Sequence, residues 1–363
     1  MRNMKLVGAA ALLLTASAAF AGCGSDSKDE TGTGKGGDLR EVDLALSTSS
    51  LFGYGYWMAD ELGYYEDEGL DVTLQATGGS SDVAALLASN QVPAGMGVPG
   101  AMLPAMEQGS DLYPFFTYAY GEVFDVVVPT GSDIASIEDL RGKTVGITAL
   151  SGGEAPLLRA LLTDAGIDPD NDLEIVAVGE ATPNIKLSLE QEKIDAFAGP
   201  KSAISTFNAV GVDVESIAPE SLSTLPAEGL VASGDSKDDS ELLTALARAT
   251  AKGQLAAYTN PDGAVCIMME VLPEEFSDEQ AGRDSLAGVM AITTAPKDDA
   301  GEYSFGTLDA EGWATYVDIY RQAGTLTTDV PVDDFVITDL LPDINDFDHD
   351  AIVTEAEALT TDC

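Results

Sequence analysis

Four short stretches of this chain set hydroxyls, glycines and aromatic rings where a helix is about to start. Ser47-Thr48-Ser49-Ser50-Leu51-Phe52-Gly53-Tyr54 follows an alternating apolar run, and Thr77-Gly78-Gly79-Ser80, Gly97-Val98-Pro99-Gly100 and Ser151-Gly152-Gly153-Glu154 follow three more. Free N–H groups at helix starts, with hydroxyls beside them, can hold a small polar solute by hydrogen bonds. Ser49, Ser50, Gly53, Gly78, Gly79, Ser80, Val98, Pro99, Ser151, Gly152 and Gly153 are therefore candidate binding residues. Each of these residue types also makes turns and caps, which is the readier account of any one taken alone; as four loops at strand ends they point to a cleft.

Rings and charges narrow the chemistry. Phe52, Tyr54, Tyr118 and Tyr120 offer stacking surface, three of them with a polar tip, which suits an aromatic heterocycle or a quaternary amine. Trp57 lies inside a helical run and reads as core. Glu154 opens a helix, where a carboxylate complements the dipole. In a pocket it would favour a solute bearing amino groups and repel a sulfonate or nitrate, and Glu122 and Asp125 add the same sign. Lys201 is the one base placed near these loops, a candidate for holding an anionic group.

Turnover chemistry finds little support. His349 is the sole histidine, so most hydrolytic triads and zinc sites lack their imidazole. G-x-S-x-G, H-E-x-x-H and P-loop motifs are absent, and the S-x-x-K match, Ser25 to Lys28, lies in a polar tether. Gly32 to Gly37 matches G-x-G-x-x-G without a strand before it. Gly95 to Gly100 matches after a strand, but Pro99 disturbs the loop and the ribose-reading acid is missing, so no dinucleotide or other cofactor is expected. Asp346, Asp348, Asp350 and Glu357 take EF-hand-like positions, yet Ala351 stands where the turn needs glycine, and no metal is expected.

The chain has 363 residues with 17 Lys+Arg against 62 Asp+Glu, a formal net charge of -45. Such acidity repels phosphate backbones and anionic headgroups, which excludes nucleic acid as a partner. It also suits a saline habitat, where salt screens the self-repulsion. A hydrophobic fraction of 45% is ample for a core, and the length suggests two domains.

Arg2 and Lys5, the apolar run Leu6 to Ala19 and Phe20-Ala21-Gly22-Cys23 read as a signal peptide over 1–22. Small residues before Cys23 place that cysteine as the lipidated first residue of the mature chain, followed by a flexible tether over 23–38 and anchoring the protein outside the membrane. Cys266 and Cys363, in an exported chain, are able to pair; their spacing leaves the matter open.

Strand and helix patterns alternate from Val42 onward, which makes the fold α/β. Val42 to Ser47, Leu70 to Ala76 and Val92 to Val98 read as strands separated by helical runs, Tyr56 to Glu68 and Ser81 to Ser89. A second unit opens near Ile137 and runs through Thr144 to Ala149, Ala155 to Ala165 and Leu173 to Val178. Crossings between the two are expected near Val126 to Pro129 and Leu230 to Gly234. One lobe would then comprise 39–128 and 231–363, and the other 129–230.

Four ordered pieces, Ala59 to Val72, Asp82 to Leu87, Glu138 to Gly146 and Gln191 to Phe197, resemble the solute-binding proteins of ABC importers. The similarity is to the branch that serves nitrate, aliphatic sulfonates, taurine and thiamine-pyrimidine precursors. Gly63 and Gly69 within the first piece suit turns with positive φ. The resemblance implies a two-lobed periplasmic-binding-protein fold of type II closing on a small solute, with a membrane permease and an ATPase as partners. The acidic loops tilt the expected solute toward a nitrogenous aromatic such as a pyrimidine precursor, with sulfonate, taurine or nitrate as the alternative.

Overall fold

The computed structural model describes residues 39–363 apart from 180, 206, 208–210, 223–224, 277–278, 299–300 and 362. The proposed signal peptide, Cys23 and the tether lie outside the described residues. The chain opens with β1 (Arg40–Leu46), α1 (Tyr54–Glu61), α2 (Tyr64–Asp67), β2 (Leu70–Ala76), α3 (Ser80–Ala88), β3 (Ala94–Gly97), α4 (Pro99–Glu107) and β4 (Leu112–Ala119). It continues through β5 (Phe124–Pro129), β6 (Thr144–Ile147), α5 (Glu154–Asp164), β7 (Glu174–Ala177), α6 (Thr182–Glu190), β8 (Ala196–Pro200), α7 (Lys201–Ser205) and β9 (Val214–Ser216). The return brings β10 (Glu228–Ser233), α8 (Ser240–Thr259), α9 (Pro261–Val271), α10 (Glu279–Thr293), α11 (Ala310–Gln322), α12 (Leu341–Ile344) and α13 (His349–Glu357).

The strands form two mixed five-stranded sheets, ordered β2-β1-β3-β10-β4 and β7-β6-β8-β5-β9. Both faces of the first sheet are covered, and β1 shows how. Leu44 and Leu46 enter a core shared with α1, α8 and α9, while Ala45 between them faces the core of α3, α4 and α11. In the second sheet Val145 and Ile147 pack on α5, whereas Val127 and Phe197 pack on the opposite side against α6.

Two expectations shift. The single helix expected over Tyr56 to Glu68 is broken at Gly63, whose φ of 75 ends α1 and starts α2; Gly69 closes the next turn with φ 82. The stretches expected to cross between lobes lie inside strands: Val126 to Pro129 belongs to β5 in the second sheet, and Leu230 to Ser233 to β10 in the first. The chain passes between the sheets at 120–123 and 217–227 instead. Short apolar runs announce buried strands but carry no sign of which sheet buries them.

Candidate functional site

In the first sheet β1, β2, β3 and β4 end on one edge, and antiparallel β10 begins there. In the second, β6, β7 and β8 end on the edge where β5 begins. The crossing at 120–123 joins the end of β4 to the start of β5, so the two loop-bearing edges face each other. They touch directly: Ser151 Oγ donates to the Gly78 carbonyl at 3.1 Å, and the Ser81 N–H to the Ser151 carbonyl at 3.4 Å. Gly79 has φ 148, and a Cβ there would lie 2.7 Å from the Ser151 carbonyl oxygen. A second seam brings Val98 and Gly100 onto Gly153, where a Cβ would lie 2.7 Å from Val98 Cγ2. Glycines permit the backbones to meet at both seams.

Gly79→Ala is therefore expected to hold the lobes apart while each lobe stays folded. Small-angle scattering should show a larger radius of gyration with far-UV circular dichroism unchanged; identical scattering curves would refute the seam's role.

Beside the second seam Val98, Pro99, Gly100, Glu122, Phe124, Gly153, Leu157, Ala227, Tyr316 and Tyr320 line a small cleft with a volume of about 10 Å³. Helix α11 reaches it from the C-terminal segment. Tyr316 donates to Glu122 Oε2 at 2.6 Å, and the Phe124 N–H to Oε1 at 3.0 Å. Burial pushes the Glu122 carboxyl up, opposed by these bonds and by the Lys201 charge.

Two further buried carboxyls stand on these edges. Glu154 reaches back over its own loop, accepting from the Thr148 N–H at 2.8 Å, the Thr148 hydroxyl and the Ala149 N–H. Burial raises its pKa and these donors oppose the rise. Glu228, the first residue of β10, is 6% exposed and accepts from Ser47 Oγ at 3.2 Å, across the end of β3. Burial pushes its pKa up to about 8, with the Ser47 bond opposing and the Glu122 charge adding. The ladder to β4 slips between Glu228 and Gly229, where a Cβ on Gly229 would lie 1.9 Å from the Phe116 carbonyl oxygen. This irregularity aims Glu228 over the sheet edge.

The structure brings together Gly78, Gly79, Ser151 and Gly152 at one seam and Val98, Pro99 and Gly153 at the other. Ser49 is exposed, Ser50 is half-buried, and Ser80 is buried in the first turn of α3. Lys201 opens α7, its N–H donating to the Val123 carbonyl at 2.8 Å.

The aromatic residues go elsewhere. Tyr54 and Tyr118 are 0% exposed in the core of the first lobe, with Phe52 and Gly53 buried beside them. Tyr54 pairs with the Thr293 hydroxyl at 2.9 Å; Tyr118 donates to the Phe52 carbonyl and accepts from the Gly55 N–H, both at 3.0 Å. The Tyr120 hydroxyl is taken by the Gly306 N–H. These rings support the cleft loop from below, because their polar tips find partners in α10 and nearby backbone. Residues at these edges that sequence reasoning passed over are Glu228, Tyr316 and Tyr320. An acid opening an apolar strand and followed by glycine was the one visible signal for the first.

The family described as NMT1/THI5 like matches residues 53–264. Riboflavin-binding protein RibY of Chloroflexus aurantiacus is 24% identical over 321 residues, covering 84% of this chain and 87% of the relative. A formylaminopyrimidine-binding protein of Halalkalibacterium halodurans is 24% identical over 271 residues, covering 71% and 77%. The fold is similar to that of the alkanesulfonate-binding protein SsuA from Xanthomonas axonopodis pv. citri bound to MOPS. That likeness has a TM-score of 0.65 at 14% identity and covers 83% of this chain and 99% of that one.

Proposed function

Because the chain belongs to the NMT1/THI5-like family, we propose that it is the extracytoplasmic solute-binding subunit of an ABC importer. It captures a nitrogenous aromatic solute of the pyrimidine-precursor or flavin kind and hands it to a membrane permease driven by an ATPase. Lipid on Cys23 would hold it at the outer face of the membrane. The role is capture and delivery, with the solute released unchanged.

The observation that carries this reading is the set of buried carboxyl groups between the facing edges. Glu122, Glu154 and Glu228 are each at most 6% exposed, and Lys201 is the nearby cation. A desolvated carboxyl group favours N–H donors and disfavours an anion brought into the same low-dielectric space. The names of two relatives, a riboflavin binder and a formylaminopyrimidine binder, agree in solute class.

Thermal shift and tryptophan fluorescence against riboflavin, aminopyrimidines, taurine, alkanesulfonates and nitrate test it. Saturable stabilisation of about 2–3 kcal/mol is expected at a hundredfold excess of heterocycle over Kd, with none from the anions. Stabilisation by a sulfonate alone would keep the receptor and overturn the solute class.

A further inference from the structure

Successive turns of α11 meet different parts of the molecule. At its start Gly312 lies against the second crossing, where a Cβ would stand 2.6 Å from Pro226 Cγ. One turn on, the Tyr316 hydroxyl donates to Glu122 Oε2 of the first crossing at 2.6 Å. A further turn brings Tyr320 to the second seam, where a Cβ on Gly100 would stand 2.7 Å from its hydroxyl and 3.4 Å from the Gly153 carbonyl oxygen. The spacing i, i+4, i+8 keeps these three positions on one side of the helix. Glu311, Ala314, Thr315 and Asp318 are exposed on the other.

Packing follows the same division. Trp313, Val317 and Tyr320 share a core with Met102 and Met106 of α4 in the first lobe and with Ala160 of α5 in the second. Ile319 and, from the second crossing, Leu225 pack against that core and also against the core of the second sheet. Tyr316 and Tyr320 are each 1% exposed, with ring planes 17° apart and centroids separated by 6.2 Å. Close-packed side chains of this kind pass on a displacement instead of absorbing it.

We propose that α11 is the strut that sets lobe closure. It ties both crossings to the second seam, so that the lobes turn about 120–123 and 217–227 in one motion, and the bond from Tyr316 to Glu122 is the latch of the closed form. Two short crossings define an axis of rotation without an end point; a helix packed on both lobes supplies one. Parting the lobes would take the Tyr316 donor from a buried carboxyl and draw Ile319 out of one of its two cores, and both costs favour the closed arrangement. Whichever solute the cleft takes, α11 fixes how readily the lobes part around it, and Tyr316 acts as a positioning residue.

Small-angle scattering and amide hydrogen exchange of the purified protein, dialysed free of solute, test the strut. Tyr316→Phe keeps the ring and removes the latch, while Gly312→Ala wedges α11 away from Pro226. Each should enlarge the radius of gyration and speed exchange of the Ile217 and Ala227 N–H groups, both hydrogen-bonded in the second crossing, about tenfold. Val145 and Ile147 of β6 should keep their wild-type rates, and Asp318→Ala, on the exposed side of α11, should match the wild type throughout. Wild-type scattering and exchange in both Tyr316→Phe and Gly312→Ala would overturn the strut, as would an equal speeding of exchange in β6, the mark of general destabilisation. With no solute present, failure of the heterocycle reading would leave this result untouched.

Discussion

Glu228→Gln is expected to melt several degrees higher than the wild type at pH 8 and at nearly the same temperature at pH 4. The carboxyl is pushed up from the usual 4.5 to about 8 in the folded chain. Below pH 4.5 both folded and unfolded chains hold the proton, and burial costs nothing through titration. Between pH 4.5 and 8 the unfolded chain releases the proton while the folded chain retains it, so wild-type stability falls as pH rises; above pH 8 the loss is constant. Glutamine does not titrate, and its advantage should grow across that window to the order of a few kcal/mol. Other buried acids, Glu122 and Glu154 among them, titrate in both proteins, so the difference between the two melting curves isolates position 228. A Tm difference that stays level from pH 4 to pH 8 would show that Glu228 is ionised in the folded protein.

The second large effect concerns the C-terminus. Cys266 of α9 and Cys363 are joined, with Cα atoms 5.5 Å apart and a sequence separation of 97. The closed loop includes α10, α11 and α13, and it ties down a chain end that would otherwise fray. Near the bond, Asn260 Nδ2 donates to the Ala356 carbonyl at 2.9 Å, so the link reinforces an existing contact between the α8–α9 corner and α13. Closing a loop of 97 residues removes unfolded-state entropy worth about 4–5 kcal/mol in the chain-entropy account. The double substitution Cys266→Ser with Cys363→Ser is expected to lower the Tm by about 10 °C, and a reducing agent should do the same to the wild type alone. A change under about 1 °C in both experiments would mean the bond constrains nothing that unfolding releases.

The two glycine-seam loops were legible because their signal is local. A strand end, a glycine pair and a helix start lie within a few residues of each other, and backbone geometry demands glycine where two chains must touch. Gly63 and Gly69 were legible for the same reason. The aromatic residues misled because a tyrosine in a glycine-rich loop has one sequence signature whether its ring faces a cleft or a core. Tyr54 is turned inward by Thr293, more than two hundred residues away, and Gly55 is pressed against Tyr118 and Gln254. The crossings were displaced by a few residues because Val126 to Val128 and Leu230 to Ala232 look alike until strand pairing assigns each to its sheet.

Sequence alone determined the α/β class, the acidic charge balance, the family resemblance and the loops that meet at the seam, since each depends on composition or on neighbours within a turn or two. Tertiary structure decided which rings are core, that Cys266 meets Cys363, and that Glu228 is a buried group. In sequence that acid is the start of a strand, free to be solvated. Only the insertion of β10 between β3 and β4, with a slipped register at Gly229, lays its carboxyl across the sheet edge against Ser47 and withdraws it from water. Burial and charge proximity are sums over residues far apart in the chain, and they come into being when the sheet closes.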